Sequence, residues 1–571
     1  MRKFLALVVG LLSFASAFGQ TGISVPQLAT CDTILQDFIR RWKIPGASVA
    51  ISRHGQLVYA RGFGYADLSR RVPMQPHNLL RVASVSKPVT AIAIMKLAED
   101  SVLDLDHPVF GPGGYLDDPY YTSVITDERI YSITSRQLLE HSAGWNRSSS
   151  YGEFASSDPI DFPLHVAETL HAPNPVGDST LVRFLLQKGL DFAPGARYAY
   201  SNVGYLVLGK VLERLTGQRY EDWVRNHILV PSGVQEARLG RNLLTDRQER
   251  EAAYFSRSQR ESSYGTGKTV PGAYGGWNFE AMNAHGGWVF SARDLVRLLL
   301  AVDGDSAQPD VLSAASAASM REPSDNNRRY GKGWMLNRQG VWWHTGSLDG
   351  TASCVFHTPD GFTWAILLNA RATSNRFWNE LENLGWTCLR DQESWPTLNL
   401  FPPTQSAAGL RAAPAAAGAV RLTWANGNGS HRLVLLREGS PIDAFPLEGI
   451  QYPANPTLDP RLSLGRGTSV VAQGTDSTAL LAHLTPGKTY YARVVEYYQN
   501  EATGQQPVYA LDTNPIIQFR TPAPVASKPP VKAAGSRRAS KRPASKAPAR
   551  PAAPDRYSYL SKLRAMSRGW F

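Results

Sequence analysis

The run Ala91-Ile92-Ala93-Ile94-Met95-Lys96-Leu97-Ala98 is apolar on nearly every side of a helix. A helix of that kind is stable only when other elements cover it all round. Immediately before it stands Val82-Ala83-Ser84-Val85-Ser86-Lys87-Pro88-Val89-Thr90. With Ser84 in the first turn, Lys87 lies one turn on and on the same face. A hydroxyl then meets an amine at the positive end of a helix dipole. Pro88 suits this placement, because first-turn N–H groups have no intrahelical partner to lose. Ser-x-x-Lys alone is a weak signal in 571 residues, since a solvated Lys at a helix start is the commonplace reading.

The flanking chain sets the architecture. Residues 34–42 have helical period, and the runs 47–52 and 56–60 read as strands joined by a hairpin at His54-Gly55. Far downstream, 341–347, 351–358 and 362–369 supply further strands. Between these ends lie a helix over 136–143 stopped by Gly144, a loop-rich stretch over 146–193 and an apolar helix over 203–215. Another helix follows Gly286-Gly287-Trp288, with Ser291 and Asp294 resembling a capping box. Strands at both ends and helices between predict an α+β domain over residues 20–396, an antiparallel sheet flanked by helices plus a helical cluster. Pro402, Pro403 and the Ala-rich run 407–418 predict a linker over 397–418. Short alternating runs then predict an all-β sandwich over 419–521. Residues 522–571 form a Pro/Ala/Lys/Arg-rich tail expected to be disordered.

Residues 1–19 read as a secretory signal peptide. Arg2 and Lys3 precede an apolar run over 4–14, and small residues at Ala15, Ala17 and Gly19 allow cleavage before Gln20. That run is too short to span a bilayer, so no transmembrane span is expected in the mature protein. The expected destination is periplasmic or secreted. Cys31, Cys354 and Cys388 are the whole cysteine complement, too few for a disulfide framework. All three read as small core residues, with 354–388 the least implausible pair should one form. The net charge of +12 is concentrated: from residue 521 onward twelve Lys and Arg stand against Asp555, giving the tail +11. The body is near neutral, so an anionic cell-surface polymer is the partner the tail suits. Nucleic acid is not expected, because export removes that partner and stacking aromatics are few.

Three patterns recur in order: Ser84-x-x-Lys87, Tyr200-x-Asn202 and His344-Thr345-Gly346. Nucleophilic catalysis at a hydroxyl needs a base, an orienting group and an oxyanion hole. Tyr200 serves as base if a Lys87 cation favours its phenolate, and Asn202 holds both Lys87 and a substrate amide. The strand ending at Gly346 offers backbone N–H groups.

With these motifs, residues 25–395 resemble the serine β-lactamase/penicillin-binding superfamily, in the branch of class C β-lactamases, D-alanyl-D-alanine carboxypeptidases and related esterases. The resemblance extends over Leu138-Leu139-Glu140-His141-Ser142-Ala143-Gly144, Pro194-Gly195 and Gly286-Gly287-Trp288. It implies that Ser84 is acylated, that Lys87 and Tyr200 manage its proton, and that Asn202 positions Lys87 and substrate. It implies an oxyanion hole from the N–H groups of Ser84 and Ser347, with His344, Thr345, Gly346 and Ser347 binding substrate. No metal or organic cofactor is implied. His344 stands where β-lactamases of this branch usually carry Lys, and a largely neutral His pairs less strongly with a β-lactam carboxylate. Ala143 replaces the commoner Ser. The expectation is therefore an exported serine hydrolase acting on an amide, ester or lactam. A D-Ala-D-Ala-type peptide or small ester is favoured over efficient β-lactam hydrolysis. The alternative is a catalytically idle secreted binder of peptidoglycan fragments or β-lactams. His141 reads as a loop-anchoring or core histidine and His285 as structural. Leu484-Thr485-Pro486-Gly487-Lys488-Thr489-Tyr490 resembles the tyrosine corner of fibronectin type III domains, with Trp424 as core residue and the module as a spacer or docking unit.

Overall fold

In the computed structural model, Gly46–Arg53 and Gln56–Asp67 form an antiparallel hairpin that pairs with the far end of the same domain. His54 and Gly55 make the turn with positive φ (47° and 78°), which glycine takes at no steric cost. Gly46–Arg53 then pairs with Phe362–Leu368, Ala50 opposite Ala365, so residues over three hundred positions apart close one sheet. From there the sheet runs through Thr351–His357 and Trp342–Leu348 to Met335–Leu336, every pairing antiparallel. On the other side it ends at Gln20–Thr21 beside Gln56–Asp67. The structure describes residues 19–522, apart from 306–309, 391, 416–418, 501–503 and 512–514. Most of the expected leader and nearly all of the basic tail lie outside the described residues.

Helix Ala292–Leu300 packs on Gly46–Arg53 and Phe362–Leu368, with Ser291 capping it by accepting the Asp294 N–H. Helix Asn375–Leu389 lies beside Ala29–Trp42, Phe377 against Phe38, and covers the sheet by setting Trp386 edge-on to Trp364. Helix Ser86–Glu99 is covered on nearly all sides, as its apolar circumference requires. Helix Asn202–Thr216 and the Phe279–Gly286 segment pack against it.

Cys31 and Cys388 form a disulfide between the two terminal helices of this domain. This corrects the pairing ranked first from spacing. Cys354 lies on the neighbouring strand, buried, as a free thiol. Sequence spacing carries no information on which helices lie side by side, and it is their packing that brings residues 31 and 388 together. A bond closing a loop of this length restricts the unfolded chain strongly. Replacing both cysteines by Ala is expected to lower the free energy of urea unfolding by about 2–5 kcal/mol. An unchanged unfolding midpoint would show that the bond adds no stability.

The described C-terminal region is built mainly of β-strands, with one short 3-10 turn at Pro460–Leu462. One sheet comprises Ala408–Pro414, Val420–Ala425 and Thr478–Leu481; the other is built on His431–Glu438 and Thr489–Asn500. Val420, Leu422 and Trp424 from the first pack with Val434, Leu436 and Val494 from the second. The expected linker over 397–418 is corrected: Ala408–Pro414 is a strand paired with Val420–Ala425, and Leu400 and Phe401 belong to the core of the larger domain. Ala-rich composition concealed the strand, because its side chains are mostly exposed. The β region is docked on the larger domain. Arg293 forms an ion pair with Glu448 in which both side chains are buried, Arg493 lies 3.5 Å from Glu249, and Val508 joins the larger core.

Candidate active site

Ser84 lies in a 3-10 turn, Ala83–Val85, that runs directly into Ser86–Glu99. The strand before it is fixed by Arg81, buried with its guanidinium donating to the carbonyls of Ala273 and Arg241, both at 2.7 Å. Tyr254 and Phe279 rings lie 4.4 and 4.3 Å from that guanidinium. Ser353 Oγ donates to the Val82 carbonyl at 2.7 Å, tying the turn to the sheet. Ala83 has φ of 47°, a left-handed conformation that a non-glycine residue holds only when its surroundings impose it.

Lys87 is wholly buried, and its Nζ has three neighbours: Ser84 Oγ at 3.2 Å, Asn202 Oδ1 at 2.8 Å and the His285 carbonyl at 3.1 Å. Burial, with the Arg147 charge adding to it, holds its pKa well below the ordinary lysine value against an opposing pull from Asp158. A neutral amine has two N–H bonds and one lone pair. In that neutral form Asn202 and the His285 carbonyl can accept its two N–H bonds, which turns the lone pair towards Ser84 Oγ. Asn202 is in turn held by Nδ2 donating to Asp158 Oδ2 at 2.9 Å.

Tyr200 hydrogen-bonds with Ser84, and its ring centroid lies 4.7 Å from Lys87 Nζ. The expected phenolate is corrected. Burial pushes the Tyr200 pKa well above the ordinary phenol value, outweighing the help of its bond to Ser84 and of Arg147. A buried phenol beside an amine that is itself reluctant to ionise keeps its proton.

His344 is also corrected. It was expected to bind substrate, but it faces the interior behind the site and is 1% exposed. Its Nδ1 donates to the Thr345 carbonyl at 2.8 Å, and Nε2 lies 3.3 Å from Tyr330 Oη. Burial and the nearness of Lys87 push its pKa down to about 3, so it carries no charge for a substrate carboxylate. Thr345 is half-buried and does not line the cleft; Ser347, two residues on, is exposed there. Gly346 passes so close to Val82 that a Cβ would overlap its carbonyl oxygen, which explains a glycine at this point.

The cleft holds about 310 Å³. Ser84, Asn202 and Ser347 line it, together with three arginines not singled out from the sequence, Arg147, Arg260 and Arg371. Arg371 donates to Ser347 Oγ at 2.9 Å and to Asp349 Oδ1 at 3.0 Å. Arg260 lies 4.0 Å over the Trp277 ring and 3.3 Å from Asp349, and Trp277 Nε1 donates to the same carboxylate at 3.0 Å. Burial raises the Asp349 pKa, but hydrogen bonds from Trp277, Arg371 and Ser258, with the Arg371 charge, outweigh it and hold the carboxyl below its ordinary value. Arg147 lies near the start of the stretch 146–193, whose loop-rich reading is corrected in part, since Pro163–Thr169 and Asp178–Lys188 are helices. Arg260 lies in the short strand Gln259–Glu261, and Trp277 follows Gly272–Gly276. Position in the fold alone identifies these side chains. Among the described residues, no three His, Cys, Asp or Glu are grouped to hold a metal ion. No described helix is long and apolar enough to cross a membrane.

A serine whose hydroxyl meets a buried amine, beside a phenol and a carboxamide at the mouth of a cleft, is a site of the serine acyl-transfer class. The chain belongs to the Beta-lactamase family, whose pattern matches residues 32–384. It is similar to penicillin-binding protein 4* of Bacillus subtilis, 26% identical over 51% of this chain and 59% of that protein. It is also similar to esterase EstB of Burkholderia gladioli, 32% identical over 36% of this chain and 50% of that protein. The chain thus spans about half the length of these curated relatives. In fold it resembles the D-amino acid amidase from Ochrobactrum anthropi SV3 complexed with D-phenylalanine. That match has a TM-score of 0.50 at 23% identity and covers 65% of this chain and 100% of that one.

Proposed function

We propose that this protein is an exported serine hydrolase that works through an acyl-Ser84 intermediate. Its substrate is an amide, ester or lactam, with a D-Ala-D-Ala-type peptide or a small ester favoured over efficient β-lactam hydrolysis. The observation that carries the reading is Lys87 Nζ, 3.2 Å from Ser84 Oγ with Asn202 and His285 occupying its N–H bonds. As Ser84 Oγ attacks the substrate carbonyl carbon, its proton passes to Lys87, and the backbone N–H groups of Ser84 and Ser347 receive the developing oxyanion. Tyr200, a neutral phenol hydrogen-bonded to Ser84, gives its own proton to the leaving nitrogen or oxygen as the bond to the acyl carbon breaks, and the proton held by Lys87 replaces it. Water then adds to the acyl-enzyme, gives one proton back through the same groups to Ser84 Oγ, and leaves the product acid.

The arginines at the cleft favour an anionic substrate end. Arg147, Arg260 and Arg371 outnumber the carboxylates they meet, Asp161 and Asp349. The Cys31–Cys388 disulfide supports an oxidising destination and so agrees with the leader read in residues 1–19. Tyr490, whose Oη accepts the Thr485 N–H at 2.9 Å, supports a fibronectin type III-like sandwich. The same reading assigns the basic tail an anionic cell-surface polymer, on charge alone.

Steady-state assays with a D-Ala-D-Ala peptide, nitrocefin and a short-chain p-nitrophenyl ester test this reading, with Ser84→Ala as control. Turnover of the peptide or ester that exceeds nitrocefin turnover and disappears in the control is expected. Binding without turnover of any of the three would favour an idle binder.

A further inference from the structure

We infer that His141 is a positioning residue that sets Tyr200 and Asn202 against Ser84; the inference rests on the acyl-Ser84 reading. His141 stands in a turn with φ of 57°, a left-handed conformation that a non-glycine residue holds only when its surroundings impose it. In that posture the residue grips one segment at two points. Its carbonyl accepts the Ala199 N–H at 2.8 Å, and its imidazole Nδ1 accepts the Ser201 N–H at 3.2 Å. Tyr200 lies between the two points, its ring centroid 4.3 Å from the imidazole. Neighbouring carbonyls extend the grip, with Ser142 accepting the Gly195 N–H at 2.8 Å and Gly144 the Asp191 N–H at 2.9 Å.

The bond to Ser201 is the informative one. Ser201 is the N-cap of Asn202–Thr216, and its Oγ accepts the Gly204 N–H. Its own N–H lies outside the helical ladder, and the imidazole satisfies it. That bond fixes where the chain enters the helix, and Asn202 is the first helical residue. The same entry point sets Asn202 Oδ1 at 2.8 Å from Lys87. Nδ1 accepts only while it carries no proton. Burial, with Lys87 and His344 nearby, keeps the ring neutral, so its proton resides on Nε2. Tyr198, Tyr205 and Tyr330 complete the surroundings, and among the described residues Nε2 has no hydrogen-bond partner.

Two substitutions separate the acceptor from the backbone requirement. Gly and Asn both tolerate the left-handed conformation, but only Asn offers an oxygen to the Ser201 N–H. In the full chain, His141→Gly is expected to lower kcat/KM for a p-nitrophenyl ester about 100-fold, in kcat rather than KM, and to slow fluorophosphonate labelling of Ser84 equally. His141→Asn is expected to stay within about tenfold of wild type. ¹⁵N NMR of the wild type supplies a measure free of folding defects in either variant, and the Nε2-protonated tautomer is expected throughout neutral pH. Wild-type rates in His141→Gly, equal loss in both variants, or a ring protonated on Nδ1 would each overturn the inference while leaving a labelled Ser84 intact. A wild type that takes no label on Ser84 would overturn the hydrolase reading, and the role of His141 with it.

Discussion

Replacing Lys87 by Met is expected to lower kcat/KM about a thousandfold while leaving the protein as stable as the wild type or more so. The loss follows from removing the lone pair beside Ser84. The stability follows from the same depressed pKa. An unfolded lysine takes up its proton below about pH 10.4, and the folded Lys87 does so only at much lower pH. Across that window the unfolded chain binds the extra proton, so Lys87 penalises folding there, and the penalty eases as pH rises towards 10.4. Methionine removes the penalty and fills similar space. In the wild type, kcat/KM should fall as pH drops through the depressed Lys87 value. Tyr200 should add no limb near neutral pH, because its pKa is raised. A variant that keeps its activity, or an acid limb unchanged in the residual activity of the variant, would contradict Lys87 as base.

The second large effect is structural. Arg293→Met is expected to cost about 3–5 kcal/mol in urea unfolding, because it leaves the Glu448 carboxylate buried without its main counter-charge. The double variant Arg293→Met, Glu448→Met should recover most of that loss, since two packed apolar side chains need no desolvation of charge. Equal stability of the single variant and wild type would mean that water reaches Glu448 when Arg293 is absent. The β region would then be less firmly docked than the described contacts imply.

The parts of this molecule legible in the sequence are those governed by local pattern. The all-apolar helix behind Ser84, the hairpin at His54-Gly55 and the capped helix after Ser291 each follow from residues close in the chain. The juxtaposition of Ser84, Lys87 and Asn202 also came through, because motif order carried it across long separations. Long-range electrostatics did not. Whether Tyr200 is phenol or phenolate, and whether His344 faces substrate or core, depends on burial that no spacing encodes. The arginines of the cleft come from short segments far apart in the chain, Arg260 from the strand Gln259–Glu261, and Ala408–Pro414 was hidden by its exposed, alanine-rich edge. His141 shows a third kind of gap. Its sequence neighbourhood read as a helix over 136–143, whereas the helix ends at Leu139 and His141 stands in the turn beyond, with its role in an N–H sixty residues away.

The central claim is that Ser84 forms a covalent acyl-enzyme, and peptide-level mass spectrometry after brief incubation with a fluorescent penicillin or a fluorophosphonate tests it most directly. One adduct, on the peptide holding Ser84 and absent from Ser84→Ala, is the result predicted. An adduct on another residue, or substrate turnover that survives in Ser84→Ala, would contradict it.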